Sequence, residues 1–302
     1  MKKITIESRA KLNLFLKVYG VRPDGFHDIN SIFQTIDLAD TLIFSLEKGR
    51  SGITIRTKDK DLPLGDDNLI VKAFRRLAKI KEPPSGEGVL CEIKKKIPIG
   101  AGMGGGSSNC ASALFALNKL LEIGLDETKL IRLGAELGSD VPFFFTGGTC
   151  FVHGRGELLE MLPDISKGGF LIAIPPLRVD TTGAYKLLDE FRRIRKIDVP
   201  VLTDEDEIFE IWNGVILNGG FEVYMHNDFE EPIFEQYPEI AETRRRLQQV
   251  SNMIYMTGSG SALFAYFSDY QDAWNALANY KQSGSECLVI ARPVTGGYLV
   301  ND

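Results

Sequence analysis

The chain has 302 residues, 44% of them hydrophobic and 25% charged, and a formal net charge of −6. A chain of this length and make-up can bury a sizeable core without disulfide or metal staples, as a soluble globular protein does. The acidic balance argues against a general nucleic-acid or membrane-surface binder, so an anionic ligand would have to be met by a local basic cluster.

The start, MKKITIESRAKLNLFLKVYG, alternates polar and apolar residues, which predicts paired strands rather than a signal peptide. In its second part Leu12, Leu14, Leu16 and Val18 share one face, leaving Lys11, Asn13 and Phe15 on the other. RPDGFHD reads as a turn or loop, and SIFQTIDLADTLIFSLE and SGITIRTK as further strands. DDNLIVKAFRRLAKI opens with capping candidates and sets Ile70, Ala73, Phe74, Leu77 and Ala78 on one helical face. GVLCEIKKKIP is a strand again. A glycine-rich loop and a helix over 108–121, ended by Gly124, come next. DETKLIRLGAEL predicts a helix between Asp126 and Gly138.

Beyond TGGTCFVHGRGE, FLIAIPP reads as a strand and VDTTGAYKLLDEFRRI as a helix, whereas TDEDEIFEIWNGVILNGGFE gives no clear pattern. YPEIAETRRRLQQV is a helix with Pro238 in its first turn. NMIYMTGSGSALFAYF reads strand, glycine turn, strand, and a helix and a strand close the chain. Strands and helices intersperse without a regular βαβ alternation, so the expected class is α+β, in two domains, 1–155 and 156–302.

The four cysteines, Cys91, Cys110, Cys150 and Cys287, show no ligand spacing, which predicts reduced thiols in an intracellular protein. No segment approaches the ~18 apolar residues of a membrane span. His153 and His226 have no metal spacing and are read as structural.

The stretch IPIGAGMGGGSSNCASAL carries the strongest chemical signal. It is not a P-loop, because Gly106 stands where a lysine must precede Ser107. Gly100, Gly102 and Gly105 match a dinucleotide fingerprint in form, but a second helix follows where that motif needs a strand ending in an acid. A phosphate cradle made of loop N–H groups and a helix N-terminus fits better. In that arrangement Ser107 and Ser108 can cap the helix or offer hydroxyls to phosphate. A plain tight turn would need only one or two glycines.

Taken with MTGSGSALFA at 256–265 and AKLNLFLKVYGVRPDGFHDINSIFQTIDLAD at 10–40, this stretch resembles the GHMP kinases. LGSDVPFF and NDFEEPIFEQYPEI are also similar to members of that family. The resemblance implies the two-domain GHMP kinase fold, with the active site in the interdomain cleft. RPDGFH points to the members whose substrate carries a cytidine base. It implies transfer of the γ-phosphoryl of ATP, with Mg²⁺, to the 2-hydroxyl of 4-diphosphocytidyl-2-C-methyl-D-erythritol, on the non-mevalonate route to isoprenoid precursors.

Residue by residue, the resemblance implies that Asp140 and Lys11 are the catalytic pair. A lysine beside such a carboxylate favours its ionised form and can orient or acidify the substrate hydroxyl. Gly102, Gly104, Gly105, Gly106, Ser107 and Ser108 are expected around the ATP phosphates, with Lys94 and Lys96 facing the nucleotide from the preceding strand. Asn13, Gly258 and Ser259 are expected at the acceptor, and Phe26, His27 and Tyr185 at its cytosine. Phe26 stands where those members usually have tyrosine, so the stacking face is kept and the hydroxyl is lost. The glutamate that some GHMP kinases use to bind magnesium has no counterpart here, which leaves the phosphates with Ser107 or Ser108 to hold the ion.

Overall fold

The structure, a computed structural model, describes residues 3–200, 205–282 and 285–301. Two long strands, β1 (Lys3–Val21) and β2 (His27–Lys48), open the chain, followed by β3 (Ile53–Thr57), α1 (Leu69–Ala78) and β4 (Glu87–Lys94). Next come α2 (Gly105–Leu120), α3 (Glu127–Leu137), the single turn α4 (Phe143–Thr146), β5 (Thr149–His153) and β6 (Leu158–Met161). The second half holds β7 (Gly169–Ile174), α5 (Thr181–Arg195), α6 (Glu205–Asn218), β8 (His226–Asn227), α7 (Glu230–Gln236) and α8 (Pro238–Leu247). It closes with β9 (Ile254–Met256), β10 (Leu263–Phe267), α9 (Tyr270–Asn279), β11 (Cys287–Ala291) and β12 (Tyr298–Asn301). The α+β class is as expected. The unpatterned stretch after residue 202 forms α6; its first two residues, 203 and 204, lie outside the described residues.

Among the described residues, one sheet runs β12-β1-β2-β4-β3, with β5, β6 and β8 attached beside it, and a second runs β11-β7-β10-β9. A cut at 155/156 therefore does not separate the sheets, because β6, β8 and β12 all join the first. β12 pairs antiparallel along Thr5–Ser8 and so covers an edge of β1 that would otherwise present unpaired backbone groups.

The expected pair of N-terminal strands is one strand, β1, antiparallel to β2 along almost its whole length. Its register shifts between Arg9 and Ala10, where the sequence pattern gave no warning. Arg9 is opposite Ala39 and Ala10 is opposite Ile36, so Asp37 and Leu38 of β2 are left over at an irregularity that bends and twists the pair. Ile6 packs in the core with α2 and Ser8 meets Ser108, but beyond the shift it is Lys11 that lies beside Gly104 and over the Phe33 ring, with Asn13 next to it against Ser31 and Thr257. Ala10, Leu12 and Leu14 turn to the opposite side, against Ile172 and Phe264 of the second sheet. The non-core face assigned to Lys11 and Asn13 is thus no solvated surface: both side chains are buried, at 3% and 2% exposure.

Three cores follow from these faces. α1 and α2 pack on the first sheet through Ile70, Phe74, Leu114 and Leu117, and α3 lies against α1 and α2 with Leu130 in the same core. The two sheets meet through Leu12, Leu14, Phe151, Phe170, Ile172 and Phe264. The helices of the second half cover its sheet through Leu171, Ala173, Leu188 and Leu247. β7 supplies alternate residues to the last two cores, which is why FLIAI reads as an unbroken apolar run. The sheet-to-sheet core fixes the two halves around the cleft where the glycine motifs meet.

Candidate active site

The glycine loop leaves β4 and enters α2 at Gly105. Its N-cap is Gly104, in the left-handed region at φ 68°, and no side chain caps the helix. Ser107 and Ser108 therefore do not cap it, contrary to expectation. Ser108 is fully buried, with its hydroxyl 2.6 Å from that of Ser8, so it faces β1 and not the cleft. The orphan N–H groups of the first turn of α2 are left for a ligand.

Two of the glycines answer to close packing. At Gly102, with φ 76°, a Cβ would stand 2.1 Å from the carbonyl oxygen of Thr257. At Gly104 it would stand 2.8 Å from the Phe144 ring and 3.1 Å from Lys11 Cγ. Thr257 is the joint between the motifs. Its Oγ1 accepts from the Asn13 N–H at 3.0 Å and lies 3.2 Å from both Asn13 Oδ1 and the Gly102 carbonyl oxygen, its acceptors. The TGSGS turn is braced from behind by Asn227, whose Nδ2 donates to the Met256 and Gly258 carbonyls at 2.6 and 2.8 Å.

These segments enclose a cleft of about 420 Å³. Lys11 Nζ lies in it 3.6 Å from Asp140 Oδ2, donates to Asn13 Oδ1 at 2.5 Å and sits 4.3 Å from the Phe33 ring centroid. Burial lowers the Lys11 pKa from its ordinary value of 10.5, against the opposing pull of Asp140. Asp140 hangs from the turn after α3 and is about one-third exposed, so its carboxylate can meet a ligand. A buried ammonium, a reachable carboxylate and a helix N-terminus in one cleft suit charge stabilisation around a moving phosphoryl group.

Lys95 lines the cleft beside the loop, and a Cβ on Gly105 would lie 3.4 Å from its Nζ. Its ammonium pairs with the fully buried Asp40. Asp40 Oδ1 also accepts from the N–H groups of Lys96 and Ile97 at 2.7 and 2.9 Å, and Oδ2 accepts from Asn109 Nδ2 at 3.1 Å.

Comparison with known proteins decides the family. The GHMP kinase N-terminal domain matches residues 68–148, the span of α1, the glycine loop and Asp140. The chain is 36% identical over 296 residues to the 4-diphosphocytidyl-2-C-methyl-D-erythritol kinase of Thermodesulfovibrio yellowstonii, covering 95% of this chain and 97% of that one. A crystal structure of 4-(cytidine 5'-diphospho)-2C-methyl-D-erythritol kinase is similar with a TM-score of 0.74 and 31% identity, covering 95% of this chain and 98% of that one. The chain belongs to the 4-diphosphocytidyl-2-C-methyl-D-erythritol kinase family of GHMP kinases. Homoserine kinase from Cytophaga hutchinsonii shares the fold alone, at a TM-score of 0.63 and 18% identity over 100% of this chain and 98% of that one.

Of the residues expected from the GHMP kinase resemblance, Lys11, Asn13, Gly102, Gly104, Gly105, Gly106, Ser107, Asp140, Tyr185, Gly258 and Ser259 come together on the cleft wall. Lys94 and Lys96 do not. Both are exposed, because β4 ends at Lys94 and Asp40 captures the next two N–H groups it can reach, turning Lys95 inward. Phe26 and His27 stand off the cleft wall, at the β1–β2 turn. The His27 ring stacks on Tyr185, with centroids 4.7 Å apart and 25° between planes, and its Nε2 lies 3.0 Å from Asp189 Oδ1 one turn along α5. Tyr185 reaches both the cleft and His27, so the two regions are continuous. Phe26 is half exposed under the Arg155 guanidinium, 5.0 Å from the ring centroid. Lys95, Asp40 and Thr257 were not among the expected site residues, although Asp40 and Thr257 lie within the stretches 10–40 and 256–265 that carry the resemblance. Lys95 stood in a run of three lysines, and the other two carried no chemistry out of the ordinary.

The buried thiols Cys91, Cys110 and Cys150 are free, as is the exposed Cys287. Burial pushes Cys110 up to about 12, which makes it inert at neutral pH. No helix among the described residues is long and apolar enough to cross a membrane.

Proposed function

We propose that this cleft transfers the γ-phosphoryl group of ATP to the 2-hydroxyl of 4-diphosphocytidyl-2-C-methyl-D-erythritol, in the cytoplasm, as a step toward isoprenoid precursors. The observation that carries the reading is the Lys11–Asp140 pair, 3.6 Å apart in the same cleft as the glycine loop. The first turn of α2 and Lys95 receive the triphosphate. Asn13, Gly258 and Ser259 bound the acceptor side, which continues past Tyr185 to His27 and Phe26 for the cytidine. Asp140 accepts the proton of the acceptor hydroxyl, while Lys11 orients the carboxylate and stabilises charge as the oxygen attacks.

Magnesium prefers hard oxygen donors and keeps several ligands from phosphate and water. Among the described residues no group of three or more His, Cys, Asp or Glu side chains forms a dedicated cage. The oxygens of Ser107 and Asp140 in the cleft fit an ion carried in on the triphosphate, with Ser108 excluded by its bond to Ser8. The ion neutralises phosphate charge when bound.

ADP release from ATP–Mg²⁺ tests the reading with three acceptors: the cytidyl compound, mevalonate and homoserine. Turnover of the cytidyl compound alone is expected; turnover of either of the others instead would contradict it.

The cytidine end has its own test. His27→Ala removes the ring that stacks on Tyr185 and the contact to Asp189. We expect KM for the cytidyl acceptor to rise about 10- to 100-fold, the scale of one lost stacking and hydrogen-bonding group. KM for ATP should stay within twofold, as steady-state kinetics with each substrate varied will show.

A further inference from the structure

Asp40 lies outside the Lys11–Asp140 pair, its side chain is fully buried, and its carboxylate bonds to donors on the nucleotide side of the cleft. One carboxylate takes four donors: the Lys95 ammonium, the N–H groups of Lys96 and Ile97, and the Asn109 amide. Those donors come from the two ends of the glycine loop, its entry from β4 and the second turn of α2. A buried carboxylate is costly to desolvate, and a complete set of donors offsets that cost. Pure scaffolding would not need a lysine here, since the three amide donors already bind both oxygens.

We propose that Asp40 is a positioning residue for ATP, acting through Lys95. It draws the ammonium inward from the segment just after β4, where the neighbouring lysines are exposed, and parks it beside Gly105, at the N-terminus of α2. The same carboxylate fixes the loop entrance relative to the helix, so the cation and the N–H groups that meet the phosphates share one reference point. The buried salt bridge keeps Lys95 pre-organised, which spares the cost of ordering a long side chain when ATP arrives. This inference rests on the reading of the cleft as the ATP site.

The test is a double-mutant cycle on the full chain, with ATP and acceptor KM measured separately and ATP-induced thermal shifts recorded. Asp40→Asn keeps an oxygen for the two loop N–H groups but turns an amide toward Lys95 and Asn109. Lys95→Met removes the ammonium and leaves the stem. Each variant is expected to raise KM for ATP at least tenfold with acceptor KM within twofold, and the pair together should be no worse than Lys95→Met alone. If Asp40→Asn lowers the melting temperature while KM for ATP is unchanged, Asp40 is structural only and the proposal fails. If Asp40→Asn does not fold, Lys95→Met decides, and a KM for ATP within twofold of wild type overturns the proposal. A wild-type chain with no ATP-induced shift and no turnover would overturn the ATP-site reading itself, and this inference with it.

Discussion

Lys11→Met is expected to reduce kcat by about 10²- to 10⁴-fold, the range for loss of a positioned group that acts on proton and charge transfer. Its effect on folding is expected to be of the opposite sign. Lys11 is buried with only one anionic partner, and that partner is about one-third exposed. Burial disfavours the charged ammonium more than Asp140 restores it, so the native pKa falls below 10.5. The unfolded chain therefore holds this proton more tightly than the native one does. Stability attributable to Lys11 rises as pH climbs through the native pKa toward 10.5, and below that pKa its penalty is present in full. Methionine removes the penalty, so the variant's melting temperature at neutral pH should equal or exceed that of wild type. A variant that is both inactive and markedly less stable would mean Lys11 is a structural strut. Asp140→Asn should lose activity on a similar scale with little change in stability, because its carboxylate is partly solvated. The alkaline limb of the wild-type kcat profile should lie below pH 10.5 if protonated Lys11 is the active form.

Gly102→Ala is the second large effect. The added methyl carbon would stand 2.1 Å from the Thr257 carbonyl oxygen, and the residue has φ 76°. Backbone cannot give way as a flexible side chain can, so the loop and the TGSGS turn must part. We expect a loss on the order of 2–4 kcal/mol in denaturant unfolding, the scale of strain at a special backbone position. We also expect a rise in KM for both substrates, because Thr257 links Gly102 to Asn13. Gly106→Ala is the contrast. The space around it is open, with only Leu69 Cδ1 at 3.9 Å and no left-handed backbone. It should therefore fold like wild type. Equal stability of the two variants would show that the motif's glycines serve only the approach of phosphate.

The same comparison explains what was legible in the sequence. Periodicity located α1 with its Asn68 cap, the apolar β7 and the helices after Asp126 and Asp180, because local burial and capping determine them. Lys11 and Asp140 stood out only through the GHMP kinase resemblance, since by type and setting alone Asp140 reads as a cap and Lys11 as an ordinary solvated lysine. Lys11 was placed on the correct parity, but the register shift at Arg9 and Ala10 that turns that face into the cleft depends on pairing with β2, which is non-local. The choice among three adjacent lysines likewise depended on Asp40, 55 residues away and unremarkable in sequence. α6 was missed because its acidic start and apolar residues on several sides blur a helical stripe, although Trp212 anchors it in the core between the sheets. Sheet membership of β12 was invisible for the same reason as the register shift, since pairing partners lie at opposite ends of the chain.

We propose one continuous site that binds a cytidine at the Phe26–His27 turn and moves a phosphoryl group at Asp140. Its most direct test compares two acceptors that differ only at the cytidine end, 4-diphosphocytidyl-2-C-methyl-D-erythritol and 2-C-methyl-D-erythritol 4-phosphate, by ADP release under saturating ATP–Mg²⁺. Turnover of the first, abolished in Asp140→Asn, and no measurable turnover of the second are expected. Equal turnover of both would contradict it, because the base-binding turn would then contribute nothing to the reaction.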